Sequence, residues 1–187
     1  MRRYSYFFIG LILQTIIYSQ TVSDYTYTGA EATSLCGAVV ANPGGVWSLY
    51  HNPAGISEIE DIQIEFGISR LFNQSYLPYS NAGTVIQTND FGNFGVSLQQ
   101  MAIQYGGNNL STEVSIGFSH GFYLLKDMNS TLSVGYSLNY LYWDLGKSAG
   151  VSGDGSDGIE LGSTGTVGVD IGIQSSLRDK HRVGIYM

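Results

Sequence analysis

The chain has 187 residues, a formal net charge of −7 and a single cysteine, Cys36. An acidic chain without a basic cluster is a poor ligand for a phosphate backbone, so nucleic acid is excluded as a partner. One cysteine cannot form an internal disulfide, and we expect Cys36 to be a small buried apolar residue. Twenty-five glycines and fourteen tyrosines, with only 12% charged residues, predict many turns and strands of intermediate polarity.

Residues 1–19 have the layout of a secretory signal peptide. Arg2 and Arg3 precede an apolar run from Phe7 to Ile17, and the small Ser19 offers a cleavage site. The run of about 11 residues is shorter than the roughly 20 that a membrane-spanning helix needs, and no later segment has 18 consecutive apolar residues. We therefore expect export from the cytoplasm and a chain that does not cross a membrane by helices.

Residues 20–60 contain no alternating strand pattern. The stretch from Gly29 to Ala41 is dense in small residues, which is typical of a tightly packed short helix or loop. Asn-Pro-Gly-Gly at 42–45 and Asn-Pro-Ala-Gly at 52–55 both predict turns, because a residue before proline is pushed out of the helical region. A segment without a core of its own must pack into another part of the protein.

From residue 61 to residue 187 the dominant signal is strict alternation of apolar and small polar residues. Successive side chains of a strand point to opposite sides, so each run has an apolar face and a face of Gly, Ser, Asn and Gln. Seven strands are predicted, of which that at Gly83 to Thr88 is the weakest. The apolar faces of the other six run over Ile62 to Ile68, Phe94 to Leu98, Val114 to Phe122, Leu132 to Tyr142, Val167 to Ile173, and Val183 to Ile185.

Two folds fit this alternation, a soluble β-sandwich and a membrane β-barrel. Several runs are longer than the 5 or 6 residues typical of globular strands, and their polar faces carry mainly Gly, Ser, Asn and Gln where a water-exposed sheet normally carries Lys, Glu and Thr. Connections are predicted to alternate in length, with Ile103 to Ser111 as one of the longer ones. The sequence therefore predicts an all-β fold: an antiparallel up-and-down transmembrane β-barrel over residues 61–187, incomplete at about seven strands, with a short plug-like helical and turn segment at 20–60.

Motifs that carry chemistry are weak throughout the chain. The G-x-S-x-G pattern at Gly117 to Gly121 lies inside a predicted strand, whereas a nucleophile elbow needs a sharp strand-to-helix turn. The acidic, glycine-rich run from Ser152 to Glu160 lacks the calcium-loop spacing and is interpreted as a solvated loop. The three histidines are scattered. We expect no enzyme, no metal and no cofactor.

Three carboxylates lie in mid-strand on the polar faces, which would turn toward the lumen of a barrel: Glu65, Glu113 and Asp170. One interpretation is a hydrogen-bonded network that packs the wall, and the other is a substrate path. These three residues are the candidate lumen-facing site.

Residues 28–57, TGAEATSLCGAVVANPGGVWSLYHNPAGIS, resemble the N-terminal signature of the PorV/PorQ family of outer-membrane barrels, which is related to the FadL-type long-chain fatty acid transporters. His51 stands where the family usually has an aromatic residue, and Pro43 with two glycines replaces its acidic turn. The matching residues are Gly29, Ala30, Gly37, Ala38, Tyr50, Asn52, Pro53, Ala54 and Gly55.

This resemblance implies a bacterial outer-membrane location, contact with outer-membrane lipid, and association with type IX protein secretion or surface attachment, with secretion-system proteins as partners. It also implies that residues 20–60 form a plug, with Asn52, Pro53, Ala54 and Gly55 at the plug-to-wall turn. Two alternatives stay open: a FadL-like passive channel for hydrophobic small molecules such as long-chain fatty acids, and a secreted soluble β-sandwich binding module.

Seven strands do not make a closed bacterial barrel, which normally has an even number. An open edge in lipid leaves backbone groups unpaired at a cost of several kcal/mol each. The FadL-like architecture has about twice as many strands. We therefore expect this chain to be the N-terminal part of a longer protein, with closure by a second copy as the less favoured alternative.

Overall fold

The computed structural model describes residues 28–42, 44–88, 91–178 and 180–187. The predicted signal peptide at 1–19 lies outside the described residues, as do Pro43 and the first part of the segment predicted for 20–60. Below, the N-terminal segment means the described residues from 28 to 60.

Seven antiparallel strands form one sheet in which each strand pairs with its neighbours in the chain, from β1 to β7. The sheet curls into a half-barrel, which confirms the predicted all-β, up-and-down fold and its incompleteness. The described residues form a single sheet, so they do not build a two-sheet sandwich. The strands are β1 (Gln63–Arg70), β2 (Pro78–Thr88), β3 (Gly92–Tyr105), β4 (Asn108–Lys126), β5 (Ser130–Asp144), β6 (Ser163–Leu177) and β7 (His181–Tyr186).

The two faces of the sheet have the opposite polarity to those of a typical soluble sheet, because polar side chains are buried and apolar side chains are exposed. The inner face, which contacts the N-terminal segment, buries small polar side chains such as Ser119, Ser137 and Gln174. The outer face exposes large apolar side chains, including Phe66 at 79% and Ile68 at 82%. Because side chains alternate along a strand, this pattern follows directly from the period-two sequence.

The N-terminal segment is built from short helices and turns. It contains helices at Ala30–Ser34 and Ser48–His51 and a 3-10 helix at Pro53–Glu58, and a further 3-10 turn at Leu71–Asn73 follows β1. Within the described ranges, no helix has the length and apolar character needed to cross a membrane. The small hydrophobic core lies between this segment and the sheet, and consists of Val46, Leu49, Ile56, Ile59 and Val85.

Three details differ from the expectations. Strand β2 begins at Pro78 rather than near Gly83, because residues 78–82 pair with β1. The predicted longer connection after β3 is wrong, since it is a two-residue turn. Its residues, Gly106 and Gly107, both have positive φ, as a tight hairpin turn of type I′ requires. Cys36 is exposed and not buried, so that prediction is also wrong.

The connections fall into two groups by the end of the sheet on which they lie. At one end, named here the short-turn end, β2 is followed by β3, β4 by β5 and β6 by β7, each after three residues of sequence. At the other end, named the loop end, the connections are residues 71–77, 106–107 and 145–162. The two ends are therefore distinct, although the strict alternation of lengths fails at residues 106–107.

Candidate functional site

The N-terminal segment packs closely on glycines of the inner face of the sheet, and this contact area is named here the seat. Gly121, Gly135 and Gly172 stand directly opposite one another on β4, β5 and β6. A Cβ at Gly121 would lie 2.6 Å from the Pro53 carbonyl oxygen, and one at Gly135 would overlap the backbone of Pro53 and Ala54. A Cβ at Gly172 would overlap the side chain of Asn52. Since a Cβ at any of the three positions would collide with the turn at Asn52–Ala54, the three glycines form a groove that only residues without a side chain can provide.

Asn52 holds the turn that lies in this glycine groove. Its side-chain oxygen accepts a hydrogen bond from the Ala54 N–H at 3.1 Å, which caps the 3-10 helix. Its side-chain nitrogen donates to the backbone oxygens of Val40 at 2.6 Å and Ile173 at 3.3 Å. Asn52 is 1% exposed, so each of these bonds replaces one with water. The amide thus joins two parts of the segment to strand β6.

The predicted plug-to-wall residues Asn52, Pro53, Ala54 and Gly55 lie side by side in this seat and all are buried. Gly55 is also in a close contact: a Cβ there would lie 2.8 Å from the Ser48 hydroxyl. Proline at the first position of the 3-10 helix needs no hydrogen-bond partner for its nitrogen, which suits a helix start. The Asn-Pro-Ala-Gly sequence therefore gives a capped, narrow turn that fits against glycine.

Further glycines extend the seat to other strands. A Cβ at Gly83 on β2 would lie 2.6 Å from a Val46 methyl group, and one at Gly95 on β3 would overlap Leu49. At the opposite edge of the sheet, on the same inner face, a Cβ at Gly184 on β7 would overlap the backbone of Val40. The segment thus crosses the inner face from β2 to β7.

Hydrogen bonds and an ion pair join the last residues of the N-terminal segment to strands β3 and β7. The Asn93 side chain donates to the backbone oxygens of Ile56 and Ile59, both at 2.7 Å. Near the end of the 3-10 helix, Arg182 of β7 forms an ion pair with Glu58 at 2.8 Å. Both charged groups are partly buried, so water and salt screen this pair less than a fully exposed pair.

The side chains of His51 and Tyr50 both form hydrogen bonds with backbone carbonyl oxygens. The Nε2 atom of His51 lies 2.8 Å from the Thr28 carbonyl oxygen, and because a carbonyl only accepts, Nε2 carries the proton. Burial lowers the pKa of His51, although this hydrogen bond opposes the shift. Burial also raises the pKa of Tyr50, whose hydroxyl donates to the Ala82 carbonyl oxygen at 2.6 Å.

The three candidate lumen-facing carboxylates lie on the inner side of the alternation but do not come together. Glu65 is on β1 opposite Gly83, Glu113 is on β4 opposite Trp143, and Asp170 is on β6, where it accepts a hydrogen bond from Asn139. Within the part of the chain that the structure describes, no group of three or more His, Cys, Asp or Glu residues is placed to hold a metal ion.

The weak sequence motifs have structural roles. Ser119, at the centre of the G-x-S-x-G pattern, is fully buried in β4 and its hydroxyl is 2.7 Å from that of Ser137. In the acidic loop, Asp154 accepts hydrogen bonds from Ser152 and Ser156, and these bonds lower the pKa of Asp154 to about 2. The loop thus uses its carboxylates to organise its own turns.

Sequence reasoning missed the glycine groove and Asn93. The available signal was the position of the glycines, since Gly121, Gly135 and Gly172 all fall on the polar side of their alternating runs. Their meaning depends on the register that aligns them across three strands.

Fold and site together define an all-β half-barrel of seven antiparallel strands whose inner face is filled by its own N-terminal segment. A comparison of the chain with protein-family models, curated proteins and solved structures finds no match.

Proposed function

We propose that this chain forms part of the wall of a bacterial outer-membrane β-barrel and that its N-terminal segment plugs the lumen. The exposed apolar outer face carries this proposal. A soluble monomer rarely exposes a contiguous apolar patch larger than a few hundred Å². The outer-facing side chains include Ile64, Phe66, Ile68, Val96, Leu98, Ile116, Phe118, Leu138, Tyr140, Val167, Val169, Ile171, Val183 and Ile185.

The height of the apolar band on β5 matches the usual height of the lipid-facing band of an outer-membrane barrel. Its outer-facing residues run from Leu132 to Tyr142. Ten steps of about 3.3 Å make about 33 Å along the strand, and a strand tilt of about 40° reduces this to about 25 Å across the membrane. That is the usual height of the lipid-facing band of an outer-membrane barrel.

The inner face favours a polar lumen. Buried Ser97, Ser133, Asn81 and Gln174 line it, together with the glycines of the seat. A site for a long acyl chain needs a mostly apolar lining, so these residues do not favour the FadL-like channel. Together with the resemblance of residues 28–57 to the PorV/PorQ family, they favour a role in type IX protein secretion or surface attachment, with secretion-system proteins as partners.

Cell fractionation tests the location. The complete natural reading frame is expressed in a bacterium with an outer membrane, and the product is examined for outer-membrane recovery and for a change in gel migration on heating. We expect recovery in the outer membrane and slower migration after heating, as folded barrels are compact. A soluble periplasmic or secreted product would contradict the proposal.

Two matched substitutions test whether recovery in the outer membrane depends on the apolar outer face. Val169→Arg places a charge near the middle of the proposed lipid-facing band, and Val151→Arg makes the same change in the exposed loop between β5 and β6. An arginine at the bilayer midplane costs about 2–4 kcal/mol. We expect only Val169→Arg to reduce folded protein in the membrane, and equal yields of both variants would contradict a lipid-facing β6.

Secretion is tested in the native organism. Deletion of the gene is expected to reduce the amount of exported protein at the cell surface, whereas uptake of a labelled long-chain fatty acid should be unchanged. Loss of fatty acid uptake with normal secretion would support the channel instead.

A further inference from the structure

A cleft of about 690 Å³ opens at the short-turn end of the half-barrel. It arises because two neighbouring strands end at different heights. Pairing of β3 with β4 stops at Asn93 and Gly121, whereas β4 continues to Lys126. The end of the N-terminal segment, at Glu58 to Glu60, forms another wall of the cleft.

The protruding part of β4 has one open edge. Tyr123, Leu125 and Lys126 pair with β5 on one side, and the register shifts at Leu124 between them. On the side of β3 no described strand pairs with them. An unpaired strand edge offers a row of backbone donors and acceptors, which is the template that strand addition uses.

The side chains around the edge offer both charge and apolar contact. The Glu58 carboxylate is already occupied by Arg182 at 2.8 Å, and Lys126 lies over the ring of Tyr123, 4.8 Å from its centroid. Glu60 is exposed and forms no hydrogen bond or ion pair with the described residues. Phe91, which also lines the cleft, is 73% exposed. The cleft is therefore lined by an exposed carboxylate without a described partner, an exposed aromatic ring and the Lys126 ammonium group.

We propose that this cleft binds an extended segment of a partner protein, in which a lysine or arginine alternates with apolar residues. The segment adds as a strand to the edge at Tyr123–Lys126, and its cation pairs with Glu60. The proposal rests on the proposed function, because the short turns of outer-membrane barrels face the periplasm and the partner is then a periplasmic protein.

The two outermost strands are less suitable for such a partner. On β1 and β7 the outer-facing residues Ile64 and Ile185 are 74% and 64% exposed, and the proposed function places both in lipid. The edge at Tyr123–Lys126 instead lies beside the cleft and its carboxylate. A water-soluble, cationic segment can therefore reach the edge at Tyr123–Lys126 but not the lipid-covered edges of β1 and β7.

Peptide binding tests the proposal. The complete protein is refolded in zwitterionic micelles, and its folding is checked by circular dichroism and heat-dependent gel migration. The probe is a fluorescein-labelled octapeptide of alternating valine and lysine, followed by fluorescence anisotropy. Its control is the same peptide methylated on alternate backbone nitrogens, which keeps the charge but cannot pair as a strand. Empty micelles measure binding to detergent.

We expect the methylated peptide to bind at least about tenfold more weakly, because it loses several backbone hydrogen bonds. Glu60→Gln should weaken binding of the unmodified peptide by about twofold to fivefold, as for an exposed ion pair. The matched control is Glu160→Gln, the same change in an exposed residue of the loop between β5 and β6, which should leave binding unchanged. Hydrogen exchange should slow at Tyr123–Lys126 when the peptide binds.

Equal binding of the two peptides, or protection at β1 or β7 instead of β4, would overturn the docking proposal while leaving the barrel intact. Absence of binding to correctly folded protein would overturn it as well. A chain that does not fold in micelles contradicts the proposed function, and the docking proposal with it.

Discussion

The glycine groove gives the sharpest prediction about this fold. In Gly135→Ala the new methyl group would lie 2.5 Å from the Pro53 carbonyl oxygen and would overlap the adjoining backbone atoms. Ordinary contacts are 3.5–4 Å, so the turn at Asn52–Ala54 must move by about 1 Å. Both sides of the contact are backbone, so neither can rotate away as a side chain would.

The expected loss follows from two contributions. Overpacking of this kind costs about 1–3 kcal/mol. Displacement of the turn also weakens the bonds of buried Asn52, and a buried group left unpaired costs about 1–3 kcal/mol more. We therefore expect Gly135→Ala to lower the free energy of unfolding by about 2–6 kcal/mol, a large fraction of the roughly 5–15 kcal/mol of an ordinary domain.

Gly45→Ala is the matched control, because a Cβ there lies 3.8 Å from its nearest neighbour, a carboxylate oxygen of Glu31. Alanine restricts the unfolded chain, so this variant should be as stable as the parent or about 0.4–1 kcal/mol more stable. Urea unfolding in micelles, followed by tryptophan fluorescence, measures both variants. If Gly135→Ala is within about 0.5 kcal/mol of Gly45→Ala, the close seating of the segment is refuted.

Three further variants test the segment and its contacts. Asn52→Ala should lower the free energy of unfolding by about 2–4 kcal/mol in the same assay, because the Val40 and Ile173 carbonyl groups lose their donor. Asn42→Ala removes only an exposed hydrogen bond to Glu31 and should cost less than about 1 kcal/mol, and similar losses for Asn52→Ala and Asn42→Ala would contradict the role of Asn52. His51 has a pKa lowered from 6.5, so the unfolded chain binds more protons and stability falls as the pH drops below about 6.5. His51→Gln keeps an N–H for the Thr28 carbonyl oxygen and should flatten this part of the pH profile; an unchanged slope would show that other groups cause it. Arg182→Gln removes the charge facing Glu58 and should cost about 1–3 kcal/mol, measured against Arg178→Gln in the exposed turn, and equal effects would argue against the ion pair.

The arrangement of polarity explains why the segment and the sheet depend on each other. The largest apolar surface lies on the outer face, so the core between sheet and segment is small. The segment is held on the sheet by this core together with close backbone packing and the hydrogen bonds of Asn52 and Asn93.

The sequence by itself determined that the region holds seven strands, their two faces and their order, although it placed the start of β2 and the turn after β3 wrongly. Alternation is a local property, since neighbouring side chains of any extended chain point to opposite sides. The strands at Val114 to Phe122 and Leu132 to Tyr142 could therefore be predicted without knowledge of the strands that pair with them. Short connections between consecutive strands then favour a meander, which is the observed order.

Only the tertiary structure decided which glycines form the seat and which turn fills it. Gly121, Gly135 and Gly172 are distant in sequence, and cross-strand register alone makes them neighbours. The same holds for Asn93 and the Ile56 carbonyl oxygen, and for the exposure of Cys36. These features depend on contacts between distant parts of the chain, which local periodicity does not encode.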